Sequence, residues 1–599
     1  PSLDGVDTYI TLALVAAPLA QAHAIEQACL RHPIRAVVLF GASTAPGDAF
    51  ASGAAGRNPL RIWGPRALGY ALPHRNFHAL ALHKTVPKGH LGFVSHSNAV
   101  AAAVLDWQHN DEFGFSAVFC PGQATDIDTP DLVDYLATDI HTEAILLYLE
   151  GVRDARRLLS AVRAAASVKP VIVVKTARHA PPASLQQRRS DWVVGDDAIF
   201  DAALRRCGAL RVGSVGEMFS AARALGNARK PQGPRLAIVS NGAGPLLMAT
   251  DTLAQQSINL AAIGASTVAG LQANMPLLPL AGNPVDVLFD ADTQRYTTAV
   301  RALLDDPAVD GVLTILAPNT FVDPTAVAQG TIAVAHSSTK PVLSCWMGEI
   351  GVRPARARFA AERMASFRTS EAAVAGFALL VNWVRSQAQL QETPSAVSTY
   401  TPPDVARART LVESALADTP AALADPLLDK LLTAFHIRLA HRTQAPPTQP
   451  GWAVTLHQDP VFGAVMALHV PQDAPHYLLP PLNPRLTEQL CEALIDVPQG
   501  IALESLQDLL QRVSEMAAEL PWLQTLRLEL AHPVDGGVCR ASATVASAAA
   551  PTMQYRHMAI CPYPQHCRMD IQLRSGASVC IRPIWPEDAM ALQAFVRAL

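Results

Sequence analysis

Through the first two thirds of its 599 residues the chain alternates short apolar runs with amphipathic stretches of helical period. The runs are Ala36–Phe40, Leu91–Val94, Ala144–Leu149, Val171–Val174, Leu236–Val239, Gly311–Leu316 and Pro341–Cys345. A strand that is apolar at every position has both faces covered, as in a parallel sheet flanked by helices. The pattern therefore predicts doubly wound α/β domains. With 50% hydrophobic and 16% charged residues, the chain has the apolar content for large cores and is not disordered as a whole. Its length corresponds to about three to six domains.

Charge and cysteine usage remove several function classes. Lys+Arg total 47 against 51 Asp+Glu, a net charge of -4, which excludes a general nucleic-acid binder while leaving room for a local phosphate pocket. The nine cysteines are scattered without a CxxC pair, so neither a zinc ribbon nor a disulfide framework is expected. Reduced thiols in a cytoplasmic protein are the plain expectation. Tyr9–Ala22 with Ala22-His23-Ala24 imitates a secretory signal, but Pro1–Asp7 carries Asp4 and Asp7 and no basic residue. The segment reads instead as a strand (Tyr9–Ala16) and a helix (Leu19–Arg31), leading into the strand Ala36–Phe40. No uncharged apolar stretch reaches the ~18 residues of a membrane span. His74 and His78 have i, i+4 spacing but no evident third ligand, so no metal site is expected. Ser97 lacks a GxSxG elbow.

Pro-bearing breaks fall at Lys84–Gly89, Asn227–Pro234, Leu390–Asp404 and Thr443–Gly451, and the Ala/Ser-rich Ala541–Pro551 reads as a loose segment. Two strand–turn–helix segments stand out. Ser95-His96-Ser97-Asn98 follows Phe93-Val94, and Asn241-Gly242-Ala243-Gly244 follows Ile238-Val239-Ser240. Small polar residues there leave backbone N–H groups free at a helix N-terminus, where unsatisfied donors and the helix dipole attract phosphate. Generic β–α turns use the same residues, so both readings stand at this point.

Several longer segments carry a resemblance. GHLGFVSHSNAVAAAVLDW (89–107), GFSAVFCPGQATDIDTPDLVDYLATD (114–139), AILLYLEGVRDARRLLSAVR (144–163) and KPVIVVKTAR (169–178) resemble the NDP-forming acyl-CoA synthetases, relatives of succinyl-CoA synthetase. IWGPRALGYALP (62–73), SNGAGPLLMATD (240–251), NPVDV (283–287) and KPVLSCWMG (340–348) match further family segments in the same order. The resemblance implies several Rossmann- and flavodoxin-like doubly wound parallel-sheet domains. It divides the chain into a partial CoA-binding Rossmann-like domain (1–88), a succinyl-CoA synthetase-like flavodoxin domain (89–230), a second flavodoxin-like synthetase domain (231–400) and a degenerate ATP-grasp region (401–570). It also implies CoA or acetyl-CoA as ligand, held by Gly64, Pro65, Ser95, His96, Ser97, Asn98, Asn241, Gly242, Ala243 and Gly244.

The family mechanism passes phosphate through a histidine, and here that frame departs from the pattern. The histidine position falls on Arg189, in Arg188-Arg189-Ser190-Asp191-Trp192, and a guanidinium cannot be phosphorylated in such a cycle. Glu150, which supports the histidine in the family, is retained. DPVFGAVMALHV (459–470) resembles an ATP-grasp strand pair without its following glycines. The family's ELDINP metal segment falls on LRLELAHP, with Leu530 and His532 at the ligand positions and Glu529 one place out of frame. Loss of the ATP/Mg site is expected, because a hard cation needs several oxygen ligands.

The last segment, LRSGASVCIRPIWPEDAMALQAFVRAL (573–599), resembles the opening of a GNAT acetyltransferase domain, preceded by CPYP (561–564). Together these resemble a Pat-type protein lysine acetyltransferase, in which 571–599 starts the GNAT domain. The acetyl-CoA pyrophosphate loop of such a domain would lie beyond Leu599. The resemblance implies an acyl-CoA-binding regulatory module, inactive as a ligase, likewise oligomeric, whose intact protein acetylates partners such as acyl-CoA synthetases. The alternatives are an NDP-forming acetate–CoA ligase, with His96 as substitute nucleophile, and a scaffold without ligand. Neither nucleic acid nor membrane is an expected partner.

Overall fold

The computed structural model describes residues 9–16, 22–41, 60–83, 85–107, 113–179, 195–227, 229–256, 258–275, 282–390, 402–416, 421–439, 451–493, 503–530, 538–546, 555–564, 567–585 and 588–598. The chain divides into two compact units. One comprises Pro1–Glu150, Ala164–Thr176 and Ala209–Ser386, and the other Gly151–Arg163, Ala177–Gly208 and Gln387–Leu599.

The first unit holds three sheets. The smallest is parallel, with β1 (Leu12–Val15), β2 (Ala36–Leu39) and β3 (Arg61–Trp63) in that order. The expected strand–helix–strand opening is present, with the helix at Ala22–Arg31 packing Cys29 against Val37, Leu39 and Ile62. The second sheet contains β4 (Gly69–Leu72), β5 (Phe77–Leu80), β6 (Lys88–Ser95), β7 (Phe115–Cys120), β8 (Ala144–Leu149), β9 (Val171–Lys175) and β10 (Leu210–Val212). Its order is β10-β9-β8-β6-β7-β4-β5; β4 and β5 add an antiparallel edge to an otherwise parallel sheet. The third sheet contains β11 (Arg235–Ser240), β12 (Asn259–Leu260), β13 (Val285–Asp286), β14 (Gly311–Leu316), β15 (Val342–Trp346) and β16 (Ser366–Phe367). It runs β12-β11-β14-β15-β16, all parallel, with β13 also on β11.

Every residue of β7, β8, β9, β14 and β15 is buried, the condition that their unbroken apolar sequences require. One core joins the two large sheets: Phe93 and Leu146 of the second, Ile238 and Phe367 of the third, and Met218 and Ala221 of the helix Val215–Asn227. Each fully buried Phe, Leu or Ile there contributes about 1.5–3 kcal/mol relative to exposure. Helix starts are set locally. Asp128 and Asp131 form a capping box on the helix Thr129–Thr138, and Asp292 and Asp323 cap Thr293–Asp305 and Pro324–His336.

The second unit holds β17 (Ala421–Ala422), β18 (Ala453–Asp459), β19 (Gly463–His469), β20 (His476–Leu478), β21 (Leu523–Leu530) and β22 (Val538–Val545). They form an antiparallel sheet in the order β17-β22-β21-β18-β19-β20. Its core takes Leu431, Phe435, Leu456, Met466, Leu510 and Val513 from strands and helices. The expectation of a loose segment at Ala541–Pro551 is corrected here: its first residues are strand, paired with β21. A separate hairpin, β23 (Met569–Gln572) with β24 (Ser578–Ile581), precedes the helix Ala589–Ala598. Among the described residues no helix is long and apolar enough to cross a membrane.

Candidate functional site

In an open α/β sheet, ligands bind beyond the carboxyl ends of the strands where the strand order reverses. In the second sheet the chain leaves β6 for β7 on one side and then crosses to β8 on the other. The crevice therefore opens at the ends of β6 and β8, where Ser95-His96-Ser97-Asn98 and Glu150 lie. In the third sheet β12 lies on one side of β11 and β14 on the other, so the corresponding crevice opens at Asn241 and Ala317. Both turns singled out in the sequence thus stand at switch points.

The first turn is tightly built. Ser95 Oγ donates to the Ser97 carbonyl at 2.8 Å and accepts from the Ser97 N–H at 3.2 Å. Ser97 Oγ accepts from Val100 N at 3.4 Å, at the start of the helix Asn98–Trp107. His96 is buried, and both ring nitrogens are engaged. Its Nδ1 accepts from the Glu150 N–H at 3.3 Å, which assigns the proton to Nε2, and Nε2 donates to Thr129 Oγ1 at 2.7 Å. This geometry ties β6, β8 and the helix Thr129–Thr138 together. It does not present a nitrogen for phosphorylation, so the expectation of His96 as substitute nucleophile is not supported by its surroundings.

Gly64 and Pro65 are brought to the same place. Thr125 Oγ1 donates to the Gly64 carbonyl at 2.9 Å, Gln123 N donates to the Pro65 carbonyl at 2.8 Å, and Asn98 Nδ2 donates to the Arg66 carbonyl at 2.8 Å. A Cβ at Gly122 would sit 2.4 Å from the Pro65 carbonyl oxygen, and Gly122 has φ +68, so the close approach needs a glycine. The other amide atom, Asn98 Oδ1, is a buried acceptor with no hydrogen-bond partner among the described residues.

Lys175 escaped the sequence reading. It is fully buried at the carboxyl end of β9, in register with Leu149, the residue before Glu150, and its Nζ donates to the Thr176 carbonyl at 2.5 Å. A lysine closing an apolar strand reads as a solvated end, and no local signal marked its burial.

The second turn is held differently. Asn241 is fully buried; its Nδ2 donates to the Ala317 carbonyl and its Oδ1 accepts from the Ala317 N–H, both at 2.8 Å. This reciprocal pair clamps the ends of β11 and β14. Gly242 begins the helix Ala243–Gln255 without a side-chain cap, Ala243 and Gly244 are exposed, and nothing lies within 4 Å of a Cβ placed on Gly244. Both residues stand at the positive end of a thirteen-residue helix. In the NPVDV segment, Asn283 is structural: Oδ1 accepts from Ile238 N, and Nδ2 donates to the carbonyls of Leu236 and Ala261.

Other sequence expectations resolve as follows. Arg189 and His532 lie outside the described residues. Glu529 lies on β21 and pairs with Arg527 at 3.1 Å. Asp459 Oδ1 accepts from Val461 N and Phe462 N, both at 2.8 Å, so the DPVFG segment builds the β18–β19 turn. His74 sits in a 3-10 turn, stacks on His141 at 4.1 Å and bonds the Gly89 carbonyl, whereas His78 is on β5. Among the described residues no group of three or more His, Cys, Asp or Glu is placed to hold a metal.

Comparison with known proteins agrees with this geometry. Residues 88–225 match the succinyl-CoA ligase like flavodoxin domain, and residues 236–391 match the ligase-CoA domain. The alpha subunit of acetate–CoA ligase [ADP-forming] I from Pyrococcus furiosus is 30% identical over 335 residues, covering 56% of this chain and 72% of that protein. The alpha subunit of isoform II from the same organism is 31% identical, covering 48% of this chain and 64% of that protein. Acetate–CoA ligase [ADP-forming] I of Archaeoglobus fulgidus is 30% identical, over 58% of this chain but only 51% of its own length. In fold, the chain is similar to the dinucleotide forming acetyl-coenzyme A synthetase 1 of Ca. Korarchaeum cryptofilum, solved with phosphate and ADP. The TM-score is 0.58 at 24% identity, covering 65% of this chain and 86% of that one. With two matched domains in order and a relative 30% identical over 72% of its length, the chain belongs to the NDP-forming acetyl-CoA synthetase family of succinyl-CoA ligase-like proteins.

Proposed function

We propose that this chain binds CoA thioesters and phosphate as part of NDP-forming acyl-CoA ligase chemistry. The observation that carries this reading is the pairing of two helix N-terminal turns with the switch points of their sheets, one of them beside Glu150 and the Gly64-Pro65 loop. The residues fit such ligands. The exposed Ala243 and Gly244 at a helix N-terminus suit a phosphate, and the buried Asn98 Oδ1 suits a donor such as a pantetheine amide. Completion of a ligase cycle needs a phosphorylatable group, which Arg189 does not supply and His96 withholds. A Mg-nucleotide site is equally disfavoured by an apolar Leu530 and an Arg-paired Glu529 at the metal segment.

Calorimetric titration with acetyl-CoA, with ATP as comparison, tests the reading. Acetyl-CoA binding that tightens or weakens with inorganic phosphate, and loses that dependence in Gly244→Glu, is expected. Absence of acetyl-CoA binding overturns the reading in favour of a scaffold. An acid-labile phosphoprotein formed from acetyl phosphate would instead establish a full ligase cycle.

A second reading has its own observation. Arg582 makes a two-pronged pair with Asp588, 2.8 Å on each prong, stacks 3.7 Å over Trp585, and Trp585 N donates to Asp588. Asp588 is held at a pKa of about 2, chiefly by its bonds from Arg582. This locked turn favours a GNAT-type start at 571–599, and with it an acyl-CoA-responsive, oligomeric module of a protein lysine acetyltransferase acting on partners such as acyl-CoA synthetases. A change in the oligomeric state of this chain with acetyl-CoA, read by analytical ultracentrifugation, would support the acyl-CoA-responsive module; an unchanged state at saturating acetyl-CoA would discard it.

A further inference from the structure

A pocket of about 260 Å³ opens in the first unit, away from the residues assigned above. Its walls come from the end of the helix Asn98–Trp107, the start of β7, the helix Val215–Asn227 and the segment after β16. The walls are aromatic: Trp107, Phe113, Phe219 and Phe367 line it, with the Phe113 and Phe219 rings 5.3 Å apart and tilted by 43°. Two cations line it as well. The Arg223 guanidinium lies 4.9 Å from the Phe113 ring centre and donates to the Ser366 carbonyl at 3.1 Å. Arg368 is half exposed and shares Glu349, at 3.7 Å, with Arg353 at 3.6 Å and Arg356 at 3.3 Å. Within that group three guanidiniums face one carboxylate. Thr369 and Ala372, at the start of the helix Ser370–Leu390, complete the wall, with the Ala372 N–H donating to Thr369 Oγ1 at 3.2 Å.

We propose that this pocket binds a small aromatic carboxylate, its rings among Trp107, Phe113 and Phe219 and its carboxylate toward Arg368. Flat aromatic walls reward a planar ligand through offset and edge contacts. A guanidinium rewards an anion and discriminates against its neutral isostere. The volume lies just below the roughly 300–1,000 Å³ of drug-sized sites, which selects one or two rings. The site shares no residue with the two switch-point turns, so it does not rest on the acyl-CoA reading.

The test is calorimetric titration of the full chain with 1-naphthoate and with its neutral analogue 1-naphthalenemethanol. Saturable one-to-one binding of the acid, roughly tenfold tighter than the alcohol, is expected. Filling the pocket with Ala372→Phe, or independently with Ser220→Leu, weakens the acid by roughly tenfold or more while an unchanged urea-unfolding midpoint serves as the folding control. Arg368→Gln removes most of the preference for acid over alcohol. The proposal is overturned by equal affinity for acid and alcohol, by unchanged binding in both filled variants, or by no saturable binding up to about 1 mM.

Discussion

His96 and Asn241 occupy corresponding turns and show how a single side chain acquires its role. Each follows a strand that ends in serine, and each spends its polar atoms inside the protein. For His96, removal of the ring strands the Glu150 N–H and Thr129 hydroxyl. His96→Ala is expected to lower stability by about 1–3 kcal/mol in urea unfolding. Wild type and variant are expected to show equally little acid-labile phosphate. Asn241→Ala leaves both backbone groups of Ala317 without their side-chain partner and is expected to cost about 1–3 kcal/mol. It also loosens the crevice, so any phosphate effect on acetyl-CoA binding weakens with it. A sequence places both residues in turns, but it does not say that they are stitches.

At the scale of elements, two contacts decide pairing. Gly69 has φ +105 on β4, and a Cβ there would lie 1.9 Å from the Ala79 carbonyl oxygen of β5. Gly69→Ala is expected to destabilise by about 2 kcal/mol or more, measured by urea unfolding, because the backbone itself blocks the methyl group. The start of β11 is tied to that of β14 by Arg235, whose Nε and Nη2 donate to Asp310 at 2.9 and 2.8 Å. This fork holds the Asp310 carboxyl below the usual aspartate range. A lowered folded pKa stabilises above the unfolded value and is lost as pH falls through the folded one. Stability therefore drops from about pH 4 downward. Asp310→Asn is expected to flatten that acid limb in urea midpoints compared between pH 7 and pH 3. The β22 strand shows where pattern reading failed. Its Ala- and Ser-rich sequence lacks a bulky apolar face, and its pairing with β21 makes it a strand.

For the whole molecule, burial sorts the nine cysteines. Cys29, Cys120, Cys207, Cys345 and Cys491 are buried, Cys539 is partly buried, and Cys561, Cys567 and Cys580 are exposed. Burial pushes the Cys207 and Cys345 thiols up to about 12, which keeps them protonated and inert. A disulfide reagent at pH 8 is expected to label the three exposed thiols quickly and the five buried ones only after unfolding. Fast labelling of Cys207 or Cys345 would contradict the packing described for their units.

The sequence by itself determined the strands whose two faces are both covered, because an unbroken apolar run has few other stable uses in water. It also determined the two small-residue turns, whose local composition suits a strand-to-helix transition. Tertiary structure decided what those turns do. His96 meets Thr129 across 33 positions, and Asn241 meets Ala317 across 76, so no local window contains the partner. Lys175 became a buried lysine, and Phe113, Phe219 and Phe367 became walls of one pocket, by the same cause. Sheet order chooses which distant segments share an edge, and hydrogen bonding and desolvation then act on whichever side chains meet there.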